Sequence, residues 1–470
     1  MTYRPLAVVR APVKTRSGYG AMSRDIVRHL IEKDQYDVQV HSINWGNTPM
    51  NALDIESDRD KMILDRIVPE QFPRQPDLYI SISIPTEFRP MGRYNIGITA
   101  GIETTQAHVE WVKHMNVMDV NFVISEHSKN VFEVSQYQAQ DQTGKILGQI
   151  KCEKPIEVLH NCIDTNIFKK ISADYELDKG IRETLNQIPE TYNYLFVGHW
   201  LNGPVGHDRK NVGLLVKLFM EMFKRSEFQE KPGLILKTSM SGHSLLDREE
   251  IKKRVSMIRE SVEVGVGEQL PNVYLIHGDL TDNEMNSLYN HSKVKTHISL
   301  TKGEGFGRPL LEASLSGKPI ITTGFSGQLD FLDPEHAILL GGELEQIHES
   351  VRNDWFIEES KWLSVDPNMA ATAMAEALQN YSKWKKLARD LMIKNRKLFS
   401  YESIRDNFWN LLDEYVPVFD SPPALPERKE VNLPGLKKLG KGGVSGGAPK
   451  LPKLNKKSTQ PKMPTLKKLT

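Results

Sequence analysis

The segment Thr301 to Thr323, TKGEGFGRPLLEASLSGKPIITT, places Glu304 beside a glycine-rich turn and Glu312 after seven intervening residues. It reads as strand end, glycine loop, short helix, glycine stop and buried strand. Pro309 suits the first helical turn, where its missing N–H costs nothing, and Gly317 suits the left-handed residue past the helix end. The helix is therefore expected to begin just after Gly305-Phe306-Gly307. Glycines there let backbone amides approach a ligand, and a helix N-terminus adds positive partial charge, which together favour an anion such as a diphosphate. Arg209 and Lys210 precede a second helical stretch, 211–225, where cations are unfavourable unless an anion lies nearby. Gly18 and Gly20, in SGYGAMSRDIVRHL, form a GxG loop that serves either a tight turn or a ligand contact. No HExxH spacing occurs among the 14 histidines, and there is no zinc-type cysteine pattern.

These residues need elements to hold them. Six short β-rich runs bounded by turn signals occupy the first 165 residues: LAVVRAP, DVQVHSI, LYISISI, YNIGITA, NFVISEH and IEVLHN. A second set follows: YLFVGHW, GLILKTS, VYLIHGD, VKTHISL, KPIITTG and HAILLGG, alternating with helical stretches such as 211–225 and 282–291. Such alternation predicts α/β architecture, two doubly wound Rossmann-like domains with a cleft between them as the default site. The expected divisions are 1–165, 166–398, a closing amphipathic helix over 399–420 (Ile404, Phe408, Leu411, Leu412, Tyr415) and a tail over 421–470.

The 470 residues, 39% hydrophobic and 26% charged, exclude wholesale disorder, collagen-like repetition and a disulfide-stapled miniature. Apolar stretches are broken by charges well before the roughly 20 residues a bilayer needs, and the N-terminus lacks a signal-peptide pattern. A cytoplasmic protein is expected, with Cys152 and Cys162 as reduced thiols rather than a disulfide. The net charge of +1 conceals a split: residues 431–470 hold ten lysines and no acid, leaving −9 on the first 430. This Lys/Pro/Gly-rich tail lacks the apolar content to fold alone, and a contact through 431–470 with nucleic acid, an anionic surface or a protein partner is a further expectation.

The E-x7-E arrangement inside EGFGRPLLEA resembles the signature of retaining GT-B glycosyltransferases, especially glycosyltransferase family four. IEVLHNCIDTNIF looks like that family's strand and turn opening the second domain, with Cys162 where glycine is usual. YLFVGHW followed by DRKNVGLLVKLFMEMF resembles its phosphate-binding strand, basic pair and helix. VYLIHGDLTDNEMNSLYNHSKVKTHIS resembles the lead into the glutamate motif, and SGYGAMSRDIVRHL its glycine-rich first loop. The similarity spans about residues 5 to 415. It implies a GT-B fold whose second domain binds a nucleotide-sugar, with the C-terminal helix crossing back to the first. Glu312 would bind ribose hydroxyls, Glu304 with Gly305, Phe306 and Gly307 would hold the transferring sugar, and Arg209 and Lys210 would neutralise the diphosphate without a metal. Gly18 and Gly20 would approach the phosphates or acceptor from the first domain. Glu103, in ITAGIETTQAHVEW where a histidine is common, would orient or partly deprotonate the acceptor hydroxyl, with His108 as a second candidate.

The resemblance implies transfer with retention by front-face attack, not a carboxylate acid/nucleophile pair. The acceptor stays open. A basic tail on an acidic body suits a hydroxylated base in DNA, and a non-catalytic GT-B scaffold is the competing class. Asp58-Arg59-Asp60 matches the metal pattern of the other large glycosyltransferase fold but reads as a solvated helix face within ESDRDK. Trp45 and Asn44 either line the acceptor cleft or pack within their loop.

Overall fold

The structure, a computed structural model, describes residues 3–422 except 70, 71, 73, 141, 142, 144, 226, 229 and 241–244. Most of the tail expected to be disordered, from 423 onward, lies outside the described residues. Residues up to Pro423 form one compact unit.

Each run read as a strand is one, because strands buried on both faces of a parallel sheet are near-continuous apolar runs. The first sheet has six parallel strands in the order Asp37–Ser42, Leu6–Ala11, Leu78–Ile82, Tyr94–Thr99, Val120–Val123, Ile156–Val158. The second, also six parallel strands, runs Val273–Ile276, Gly233–Lys237, Asn193–Val197, Val294–Ser299, Ile320–Thr323, Ile338–Leu340. Both sheets reverse direction of growth beside their first strand, between Leu6–Ala11 and Leu78–Ile82 and between Asn193–Val197 and Val294–Ser299. The loops leaving such neighbouring strands diverge to opposite faces and open a crevice at the carboxyl ends, where ligands of this fold class sit.

The helix Gly18–Glu32 starts from Ser17, whose hydroxyl accepts from the Gly20 amide at 2.9 Å, and buries Met22, Ile26, Val27 and Leu30. Near the C-terminus, Tyr381–Leu398 packs on Arg308–Ser314, and the chain then crosses to the first domain as Tyr401–Tyr415. That helix buries Ile404, Phe408, Leu411 and Leu412 as its spacing predicts. Polar contacts fix its seat: Trp409 Nε1 donates to the His29 carbonyl at 2.8 Å, and Tyr401 Oη donates to Glu32 at 2.7 Å. The architecture is the GT-B arrangement of two Rossmann-like domains with a crossover helix.

Two antiparallel hairpins were not anticipated: Tyr137–Gln140 with Ile146–Ile150, and Gly342–Gln346 with Lys361–Val365. The second leaves the second domain and touches the first, where Thr105 and Lys361 exchange hydrogen bonds of 2.9 Å each and the Trp111 and Trp355 rings lie 5.2 Å apart. Arg59 and Asp60, expected on a solvated face, instead pair with Asp164 and Arg28, while Asp58 is exposed. Both cysteines are free thiols, Cys162 buried. Among the described residues no helix is long and apolar enough to cross a membrane.

Candidate functional site

The crevice of the second sheet is built from two loops. After Asn193–Val197 the chain loops to Asn211, which takes a left-handed conformation (φ 55°) just before the helix Val212–Phe223. After Val294–Ser299 it enters the glycine loop and the seven-residue helix Arg308–Ser314, entered through Gly307 at φ 92°. The loops are stitched together: the Lys302 amide donates to the Arg209 carbonyl at 2.7 Å, and Arg209 NH1 donates to the Gly303 carbonyl at 2.8 Å. A third loop backs them, with Ser326 Oγ accepting from the Glu304 amide at 2.8 Å and the Gly327 amide donating to the Glu304 carbonyl at 3.0 Å.

At the centre Glu304 accepts from Lys210 Nζ at 2.5 Å and from Arg209 NH1 at 3.2 Å, although 94 and 95 residues separate these partners in sequence. Burial alone would raise this carboxyl, but Lys210 and Arg209 hold it at about 2. Burial lowers the Lys210 ammonium against the pull of Glu304. Arg209 also lies 3.7 Å from Glu103, which reaches in from the loop after the first-domain strand Tyr94–Thr99. The site therefore holds two cations and two carboxylates at the meeting of the two domains, and its cations are compensated by Glu304 and Glu103.

Gly305, which the sequence analysis gives to ligand approach, shares another use with Gly303. A Cβ at Gly303 would collide with the Glu103 carbonyl, and one at Gly305 with the Ala100 carbonyl. These glycines let the second-domain loop lie directly against the first-domain loop carrying Glu103. The Phe306 side chain, expected at the donor, is buried between His160, Phe331 and Phe399. Gly20 is likewise structural, since a Cβ there would strike the Thr15 carbonyl, whereas a Cβ at Gly18 would meet nothing.

Gly18 lines a cavity of about 750 Å³ between the domains, together with Arg24 from its own helix and His199, Leu280, Arg308 and Glu312 from the second domain. Glu312 lines this cavity but is only 8% exposed and already engaged. Arg308 Nε donates to it at 2.9 Å and Tyr289 Oη at 3.1 Å. Burial raises its carboxyl above the usual range against the opposing charge of Arg308. An ionised carboxylate has about four lone-pair sites, so Glu312 retains capacity for further donors.

His108 caps the helix Val109–Met115, its Nδ1 accepting from the Glu110 amide at 3.1 Å, so it is placed as a helix cap. Trp45 stacks on Tyr19 with ring centroids 4.0 Å apart, while Asn44 is exposed. Tyr19 in turn bonds Thr99 Oγ1 at 3.0 Å and accepts from the Ala100 amide at 2.9 Å. Sequence reasoning missed Tyr289, Arg24 and Arg308. The last had a signal, a charged residue wedged between Gly307 and Pro309.

Residues 267–398 match the model of the family described as Glycosyl transferases group 1. That span contains Glu304, the glycine loop and Glu312, and it ends at the last residue before the crossover segment. No curated protein matches the chain. Solved structures that share the fold include Anabaena Alr3699/HepE in complex with UDP-glucose, 13% identical with a TM-score of 0.57 over 87% of this chain and 100% of that one. Sucrose-phosphate synthase from Thermosynechococcus elongatus is also 13% identical, with a TM-score of 0.57 over 88% and 99%. The α,α-trehalose 6-phosphate synthase of Burkholderia multivorans is 11% identical, with a TM-score of 0.55 over 88% and 99%. Residues 267–398 are thus similar to the group 1 glycosyl transferases, and the chain has a GT-B fold.

Proposed function

We propose that the protein is a retaining, metal-independent glycosyltransferase that moves a sugar from a nucleotide-sugar to an acceptor hydroxyl. The observation that carries this reading is the convergence of Glu304, Arg209 and Lys210 at the crevice of the second sheet, with Glu103 facing them from the first domain. In this reading Arg209 and Lys210 bind the diphosphate, and their fixed charges offset the negative charge that grows on the leaving oxygen as the glycosidic bond breaks. Two such cations do the work a divalent ion would otherwise supply. Glu304 turns from them to the hydroxyls of the sugar, and Glu312 holds the ribose. The acceptor hydroxyl attacks the anomeric carbon from the face the diphosphate leaves, and its proton passes to the departing phosphate oxygen. Glu103 orients that hydroxyl.

The test is a thermal-shift and mass-spectrometric screen of the full chain against nucleotide-sugars, with and without EDTA, with Glu312→Ala as control. Stabilisation by one nucleotide-sugar, insensitive to EDTA and lost in the control, is expected. Stabilisation by none would move the protein to the binding-scaffold class.

For the acceptor, the ten lysines without an acid in 431–470 favour a polyanion. A tether of this kind raises local concentration on DNA without using the active site for affinity. If the acceptor is a hydroxylated base in DNA, removing residues 422–470 will sharply weaken salt-sensitive DNA binding and glycosylation. Unchanged modification of DNA by the shortened chain would reject the tether.

A further inference from the structure

The helix Tyr381–Leu398 carries seven Lys and Arg residues against one acid, Asp390, on a body whose first 430 residues sum to −9. Two of the seven are paired, Lys383 with Glu376 at 3.7 Å and Lys394 with Asp333 at 2.9 Å. Lys385 and Arg389 instead join three lysines from other segments. Lys385 Nζ and Lys295 Nζ lie over the same ring, Tyr381, at 5.5 and 5.7 Å from its centroid. Arg389 packs on Gly317, where a Cβ would stand 3.6 Å from the arginine Cγ. Lys318 follows that glycine, and its Nζ donates to the His291 carbonyl at 2.7 Å. Lys170 comes from the segment that joins the domains, whose Lys169 and Ile171 amides are pinned by Asn286 at 3.2 Å and Asn290 at 2.8 Å. The five cations act on one another: after burial, Arg389 and Lys385 lower Lys170, Lys385 lowers Lys295, and Lys295 and Lys385 lower Lys318. Asp174 opposes this at Lys295 and Lys318, but none of the five is in an ion pair among the described residues. A surface of one sign concentrates ions of the other.

We propose that Lys170, Lys295, Lys318, Lys385 and Arg389 form a docking surface for the phosphate backbone of a nucleic acid. It rests on the acceptor reading above only in taking DNA as the polyanion, and it does not involve the tail. Lys295 lies at the start of Val294–Ser299 and Lys318 precedes Ile320–Thr323, so the surface sits at the amino ends of these strands, whereas Glu304 follows the carboxyl end of the first. A nucleic acid held here adds affinity without occupying the crevice. The chemistry fits phosphates better than a bilayer. Lys295, Lys318 and Lys385 are half-buried, within reach of projecting phosphates. Tyr381 and Trp384, the aromatic residues a membrane anchor would insert, are half-buried with lysines over their rings. Ile393 and Leu398, the large apolar side chains this helix exposes, are too few for an inserting face.

The test is fluorescence anisotropy of the full chain with a labelled DNA duplex free of hydroxylated bases, titrated across a range of salt. The double variant Lys385→Gln, Arg389→Gln is expected to bind about tenfold or more weakly at about 0.1 M salt, and its slope of log affinity against log salt to be shallower by about two, one for each lost phosphate contact. Lys252→Gln with Lys253→Gln, which removes the same charge from the helix Leu245–Ser261, is expected to change both quantities little. If the first variant unfolds at lower temperature, Lys170→Gln, exposed and on another segment, decides alone, with an expected fall in slope of about one. Affinity within twofold of the unmodified chain and an unchanged slope in the deciding variant overturn the proposal. So does an equal loss in the Lys252 and Lys253 control, or no duplex binding by the unmodified chain. Loss of sedimentation with phosphatidylserine vesicles while duplex binding is intact also overturns it, and assigns the surface to a membrane. Because the duplex offers no hydroxylated base, binding through this surface without glycosylation of hydroxylated DNA would reject the acceptor reading and leave the surface standing.

Discussion

Glu304→Gln is expected to slow release of nucleoside diphosphate from the donor by about 100- to 1,000-fold while tightening the binding of a nucleoside diphosphate that carries no sugar. The two effects have opposite signs for one reason. Without ligand, Glu304 neutralises Lys210 at 2.5 Å and Arg209 at 3.2 Å inside a buried cluster. An incoming diphosphate must compete with that carboxylate for both cations. Glutamine keeps the shape and removes the competitor, so the bare diphosphate gains. In the proposed reading the sugar, however, loses the ionised acceptor for its hydroxyls, and the anomeric carbon is no longer held against the attacking hydroxyl. Arg209→Ala should lower both quantities. Single-turnover kinetics and calorimetry on the same preparations separate the cases, and a glutamine variant that binds the bare diphosphate more weakly would show that Glu304 does not face those cations in the working state.

The fold was legible because its central strands are short apolar runs separated by helices, a pattern that only a covered parallel sheet explains. The second hairpin escaped for a physical reason. Gly342–Gln346 is exposed along its whole length, so burial imposes no alternation on it, and only its partner Lys361–Val365 buries Trp362, Leu363 and Val365. The same excursion places Lys361 on Thr105, two residues from Glu103.

The site was legible at the level of motifs and not of pairings. The glycine loop, Glu304, Glu312 and the Arg209-Lys210 pair could each be singled out, yet nothing in sequence says that Arg209 and Lys210 meet Glu304 across more than 90 residues, or that Glu312 is already occupied by Arg308 and Tyr289. The purpose of Gly303 and Gly305 was hidden for the same reason. Their missing side chains make room for the Glu103 and Ala100 carbonyls of the other domain, and a requirement set by a distant backbone leaves no local trace.

Three buried histidines make the protein acid-sensitive between pH 6.5 and 5. Burial lowers His29 to about 3, helped by Arg405, Arg28 and Arg59, lowers His297 to about 3, and lowers His291 to about 4. All three are neutral in the fold and ordinary in the unfolded chain, where they take up protons below about pH 6.5. Because the unfolded state then binds more protons, stability is fully present above that pH and is lost as the pH falls toward the folded values. At pH 5 each contributes a loss of about 2 kcal/mol, at 1.36 kcal/mol per unit. Glu304 acts with the same sign but only lower, since its carboxylate is held at about 2 and its contribution persists until the unfolded range near 4.5. Between pH 6.5 and 5 the histidines dominate. His29 is the informative one: it sits between the first helix and the crossover helix, 4.3 Å from the Tyr401 ring, and both its ring nitrogens are buried without a hydrogen-bond partner among the described residues. His29→Phe keeps the ring, removes the titration and relieves two unsatisfied nitrogens. Its melting temperature at pH 7 is expected to equal or exceed that of the unmodified chain, and its decline between pH 7 and 5 to be shallower by about a third. An unchanged slope in thermal unfolding would place the acid sensitivity elsewhere, with His291 and His297 in the second domain the remaining sources.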